Sequence, residues 1–152
     1  MSARESGFTL IETVAVLAII ALMSALALPR IPHSTTRPLL EGYTLQVAAL
    51  LKADRVAAVR RRARVDTVLS TADHSVTSGS GAGRLQLPAD VAFDAIVAQT
   101  CAGRDNGATI GFLPSGMSCG GTVALARPGT AYQVRVNWYT GGVEIVAADP
   151  PR

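Results

Sequence analysis

The side chains able to do chemistry are few, and they stand apart. Glu12 is the only charged residue between Phe8 and Pro29, in a run that is otherwise almost wholly apolar. A carboxylate in such surroundings is costly unless an opposite charge meets it. The chemistry it offers is therefore pairing, with a cation brought by something else. The plainer alternative is a carboxylate near a helix end that reaches the membrane interface. Arg60, Arg61, Arg62 and Arg64 concentrate much of the positive charge in five positions. At a helix C-terminus they complement the dipole as a solvated basic end. As a patch they would suit nucleic acid or acidic lipid headgroups.

No set of residues argues for catalysis, a metal or a cofactor. His33 and His74 are the only histidines, and neither has cysteines or carboxylates at useful spacing. No serine sits in a Gly-x-Ser-x-Gly elbow. Ser78-Gly79-Ser80-Gly81-Ala82-Gly83 is followed by no Gly-Lys-Ser/Thr, so it reads as a flexible loop and not as a phosphate cradle. Asp90 and Asp94 flank a strand face and read as solvated. Trp138 reads as a core or sheet-surface aromatic, not as a ligand platform. The chain is expected not to be an enzyme.

The elements that carry these residues follow from periodicity. Residues 8–29 form one apolar segment that, as a helix, is about 33 Å long. That crosses a hydrocarbon core of roughly 30 Å. Pro29, Pro32 and Pro38 then fall close together, so residues 30–37 are expected to bend or interrupt the helix. From Pro38 to about Arg62 a second, amphipathic helix is predicted. Leu40, Tyr43, Val47, Leu50 and Ala57 recur on its apolar stripe, with Asp54 as an interruption. Residues 65–147 then read as short strands: 65–71, 84–87, 91–98, 109–113, 122–126, 132–139 and 143–147. Gly, Pro and Asn turns separate them, as in antiparallel meanders.

With 152 residues, net charge +3 and 49% hydrophobic content, the chain is basic only mildly. Beyond the apolar segment about 120 residues remain, enough for one domain with a real core. The fold class expected is α+β: a long hydrophobic helix continuing into an amphipathic helix packed on a β-rich, sandwich-like domain.

Gly7-Phe8-Thr9-Leu10-Ile11-Glu12, with the apolar helix behind it, resembles the processing motif of type IV pilins and type II secretion pseudopilins. The resemblance implies that residues 1–7 are a leader cut after Gly7 by a prepilin peptidase. The same enzyme would methylate the new amine of Phe8. Glu12 would neutralise the α-amino group of a neighbouring subunit during filament assembly. Pro29 stands where such proteins often carry a helix-bending proline.

Further stretches are similar to the GspH class of minor pseudopilins, within the GspH/FimT family. They are Gly111-Phe112-Leu113-Pro114-Ser115-Gly116, Cys119-Gly120-Gly121-Thr122-Val123-Ala124-Leu125, and Val134-Arg135-Val136-Asn137-Trp138-Tyr139-Thr140-Gly141-Gly142-Val143. Arg55, Ala58 and Arg61 fit that class's Arg-x-x-Ala-x-x-Arg pattern. The segment Ser75 to Gly83 matches no part of it.

The implied function is a structural subunit of the pseudopilus that helps export folded proteins across the outer membrane. The implied place is the bacterial inner membrane, single-pass, with residues 38–152 in the periplasm. Its partners would be the prepilin peptidase, the other minor pseudopilins, the major pseudopilin, the inner-membrane secretion platform, and lipid before assembly. In that oxidising compartment Cys101 and Cys119 are expected to pair, closing a loop of about 19 residues worth on the order of 3 kcal/mol. Two free buried thiols remain the alternative.

Two other readings stay open. A FimT-like minor pilin of a type IV pilus or DNA-uptake machine would bind nucleic acid through the arginine cluster. A soluble periplasmic protein would follow if Arg4, the apolar run and Ala25-Leu26-Ala27 formed an ordinary signal peptide. The length of the run and the position of Glu12 count against that.

Overall fold

The computed structural model describes residues 9–27 and 34–149. They fall into two units, divided between His33 and Ser34. The first holds one helix, α1 (Leu10–Ala27), of 18 residues. Thr13 and Ser24 do not break it. Their hydroxyls donate back to the carbonyls of Leu10 and Ile20, each at 2.8 Å. The expected leader and the first half of the proline-marked bend, residues 30–33, lie outside the described residues.

The second unit begins with α2 (Arg37–Arg61). Pro38 sits in its first turn, where a missing N–H leaves nothing unsatisfied. It ends at Arg62, whose left-handed φ of 50° closes the helix where glycine is usual. The buried stripe is Leu40, Thr44, Val47, Ala48, Leu51, Asp54 and Ala58. This corrects the predicted stripe: Tyr43, Leu50 and Ala57 pack only at its margin. Asp54 does not interrupt the stripe. It belongs to it.

Ten strands follow: β1 (Val65–Ser70), β2 (Ser75–Thr77), β3 (Arg84–Gln86), β4 (Ala92–Val97), β5 (Thr100–Cys101), β6 (Arg104–Asp105), β7 (Thr109–Phe112), β8 (Gly121–Arg127), β9 (Thr130–Val136) and β10 (Val143–Ala148). They form two four-stranded sheets, ordered β3-β2-β1-β7 and β10-β9-β8-β4, and a small β5-β6 hairpin. All pairings are antiparallel. Strand alternation sets the core: Val123, Leu125, Val134 and Val136 point inward from the second sheet and Val65, Leu69, Ile110 and Phe112 from the first. Leu40, Val47 and Leu51 of α2 join both sets in one cluster.

Two strand expectations need correction. β2 lies between the expected strands 65–71 and 84–87, where none was predicted, because Val76 is fully buried against the core. β9 stops at Val136, so Asn137 to Gly142 is a turn. Trp138 stands in it 63% exposed, neither core nor part of a strand.

Candidate functional site

Glu12 lies in the first turn of α1, its backbone N–H bonded to the Thr9 carbonyl at 3.0 Å. Its side chain is exposed, as are those of Thr9 to Ser24 throughout. A helix apolar on every side is one that something else must cover. Among the described residues no helix is long and apolar enough to cross a membrane. The described part of α1 rises about 27 Å, short of the roughly 30 Å required. The spanning expectation rests on the full run from Phe8 to Pro29, whose ends, with Gly7, lie outside the described residues.

The second unit has a hub on α2. Asp54 is fully buried, and among the described residues no cation pairs with it. Its carboxylate accepts from Thr67 Oγ1 at 2.6 Å, from Ser78 Oγ, and from the backbone N–H groups of Gly79 (3.1 Å) and Ser80 (3.0 Å). Burial pushes this carboxyl upward, but the bonds from Ser78, Ser80 and Thr67 outweigh it and hold it below its ordinary value. The Ser78–Gly83 segment, read as flexible, is thereby pinned to the helix. The next residue does the reverse. Arg55 donates Nε to the Gly116 carbonyl and Nη2 to the Thr140 carbonyl, each at 3.0 Å. Arg61 donates to the Ser80 carbonyl at 2.8 Å. Ala58, fully buried, lets the helix approach the sheets. The Arg-x-x-Ala-x-x-Arg spacing thus has a mechanical meaning: two arginines clasp loops on either side of one close contact.

The arginine cluster is divided. Arg64 is half-buried: its guanidinium bonds Asp66 at 2.7 Å, Asn106 Oδ1 at 2.6 Å and the Cys101 carbonyl at 3.3 Å. It braces the β5-β6 hairpin against β1. Arg60, Arg61 and Arg62 are exposed. Arg60 and Arg61 line a groove of about 490 Å³ together with Lys52, Val56 and Ser80.

Cys101 and Cys119 are joined by a disulfide, with Cα atoms 5.4 Å apart. Beside Cys119 lies a wider groove of about 640 Å³, floored by Gly120, Gly121 and Thr122 and walled by Ile96 and Trp138. Trp138 meets Tyr139 edge-on at 5.6 Å. Asp90 is not merely solvated. It accepts from the N–H and, at 2.9 Å, the Oγ1 of Thr35. Those two bonds hold its carboxyl below the ordinary value. His33 lies outside the described residues. His74 packs near the Phe93 ring, 6.3 Å away.

Asp54 was the residue whose role sequence reasoning missed. A signal existed: Leu51, Asp54 and Ala58 are spaced three and four apart, so an acid stood on the buried stripe. A serine-rich segment supplied its donors.

Residues 2–28 match the prokaryotic N-terminal methylation motif. The chain also superposes on the structure of the minor pseudopilin EpsH from the type 2 secretion system of Vibrio cholerae. The TM-score is 0.56 at 11% identity, covering 70% of this chain and 95% of that one. The fold is that of a minor pseudopilin. The described residues are α+β in class: one helix in the first unit, and in the second a helix with antiparallel sheets. No curated protein sequence matches the chain.

Proposed function

We propose that the protein is a minor pseudopilin, a structural subunit of a type II secretion filament. One observation carries this: a methylation motif over residues 2–28 and a minor pseudopilin fold occur in the same chain. Gly7 is the cleavage residue and Phe8 the methylated N-terminus. The run from Phe8 to Pro29 holds the chain in the inner membrane, with the β-rich domain in the periplasm. On assembly this helix packs among those of the major and other minor pseudopilins, at the secretion platform, and Glu12 meets a neighbour's Phe8-type amine. The chain's own role is to pack and present. The only covalent chemistry on it is done by the prepilin peptidase.

N-terminal sequencing of the membrane-inserted protein should begin at methylated Phe8; a mature chain beginning at Leu28 would overturn the reading. Glu12→Leu should insert and be cleaved normally, since insertion alone gains from losing the charge. It should then enter the filament poorly, because a buried amine left unpaired costs roughly 3 to 5 kcal/mol. Co-purification with the other pseudopilins reads this out.

A second reading has one observation in its favour. Lys52, Arg60 and Arg61 share one groove, as a FimT-like pilin that binds DNA would require. Binding there should weaken steeply with salt, since phosphate contacts release counterions. A salt-sensitive affinity lost in Arg60→Ala/Arg61→Ala would favour DNA uptake; no binding at physiological salt would remove it.

A further inference from the structure

The two edges of the second sheet differ in how they receive a further strand. Its order is β10-β9-β8-β4, so β4 and β10 each have one side unpaired among the described residues. The ladder fixes which backbone groups face that side. Asn137 donates to the Gly142 carbonyl at 2.9 Å, one step beyond the Val136–Val143 pair. Bonded and non-bonded pairs alternate in an antiparallel ladder. Glu144, Val146 and Ala148 therefore bond β9, and the N–H and C=O groups of Val143, Ile145 and Ala147 face away from it. The same alternation, carried through β8, turns out those of Phe93, Ala95 and Val97 on β4. That edge is blunted. Asp94 takes the Ala95 N–H on its own carboxylate at 2.8 Å and sets an acid in mid-strand. β10 has no such guard. It contains no lysine or proline, and its register with β9 runs through all its residues without a bulge. None of its residues is buried. Ile145 is 37% exposed, although Val134, its pair on β9, is fully buried. A straight, open, apolar edge is a template for another strand.

The strand complements itself. A second β10, laid antiparallel about a two-fold axis at Ile145, sets Ile145 against Ile145, Val143 against Ala147 and Glu144 against Val146. The outward-facing groups of Val143, Ile145 and Ala147 then meet one another in three bonded pairs, about six hydrogen bonds in all. A register one residue off would set them against groups already bonded to β9. On the core face the opposed side chains are all apolar. On the other face no like charge stands directly opposite another, and Arg135 of β9 lies beside each Glu144. We propose that β10 is a pairing edge for a second copy of this chain, which joins two four-stranded sheets into one continuous sheet. The proposal stands on the geometry of the domain and not on the filament reading.

The test uses the full-length chain in detergent. Its two cysteines are bonded to each other, so an introduced cysteine is its one free thiol. Ile145→Cys should link two chains under mild oxidation, because the Cα atoms of such a pair lie about 5.5 Å apart, within reach of a disulfide. Ile96→Cys, on β4 and 71% exposed, should not. Ile145→Lys should weaken self-association at least about tenfold in sedimentation velocity, since like charges then stand opposite. Mixing it with Ile145→Glu should restore the dimer. Ile145→Pro removes the central donor without touching the β9 ladder, and should dissociate the dimer too. A wild-type chain monomeric at its highest soluble concentration would overturn the proposal. So would a dimer indifferent to Ile145→Lys, equal linkage through Ile145→Cys and Ile96→Cys, or linkage of Ile145→Cys in membranes to a different protein alone.

Discussion

Two loops of the domain are held by adjacent residues of one helix, and by opposite chemistry. The Ser78–Gly83 loop offers N–H and O–H donors to a buried anion, Asp54. The Asn137–Gly142 turn, with the 113–117 loop beside it, offers carbonyls to a cation, Arg55. Each loop also presses one glycine onto a neighbouring backbone. A Cβ at Gly79 would strike the Asp66 carbonyl, and one at Gly141 the Gly116 carbonyl. The difference lies in burial. Asp54 is sealed from water and Arg55 is only half-buried. The first clasp therefore belongs to the core, while the second holds out a surface turn bearing Trp138 and Tyr139.

The largest effect should come from breaking the buried clasp. Asp54→Ala strands the Thr67 and Ser78 hydroxyls and two backbone N–H groups, for a loss of about 4 kcal/mol. Chemical denaturation of the mature protein measures it; a loss within the range of an exposed substitution would refute the clasp. The same carboxyl sets a pH window. Its folded value is held below the ordinary one. The stability it contributes is thus fully present above the ordinary carboxylate range and is lost as pH falls through that range toward the folded value. Asp90 acts with the same sign. The difference between wild type and Asp54→Asn, followed from pH 7 to about pH 3, isolates Asp54 and should shrink on acidification.

Gly141→Ala should come next, at roughly 2 kcal/mol, because a φ of 65° and a close backbone both oppose the methyl group. Arg55→Ala should cost least, about 1 to 1.5 kcal/mol for two partly exposed hydrogen bonds. It should also raise hydrogen exchange in residues 137–142 without changing it in 78–83. Equal loosening of both loops would show that the two clasps are not independent.

Much of this architecture was legible in the residues. Short β-rich runs between Gly, Pro and Asn turns marked β7 to β10, and the proline at position 38 marked the start of α2. The methylation motif was readable because its information is local and contiguous. What escaped notice depended on partners distant in sequence. Asp54 looked like an interruption because its donors lie 13 to 26 residues away, in β1 and in a loop. β2 was hidden because serine and threonine surround Val76, and only tertiary burial makes it a strand. Trp138 was read within a strand over residues 132–139. Asn137 ends that strand by bonding the N–H groups of Tyr139 and Thr140 through its own side chain.

The contact at Thr35 has a consequence for how the domain bears load. Thr35 gives its N–H and hydroxyl to Asp90, which precedes β4, and takes Arg127 Nη1 on its carbonyl at 2.9 Å, at the end of β8. The chain is thus tied to the second sheet two residues before α2 begins. Tension applied at Ser34 meets three lateral bonds there before it reaches the axial ladder of α2. The force enters the sheet, and the first turn of the helix is shielded from being peeled open.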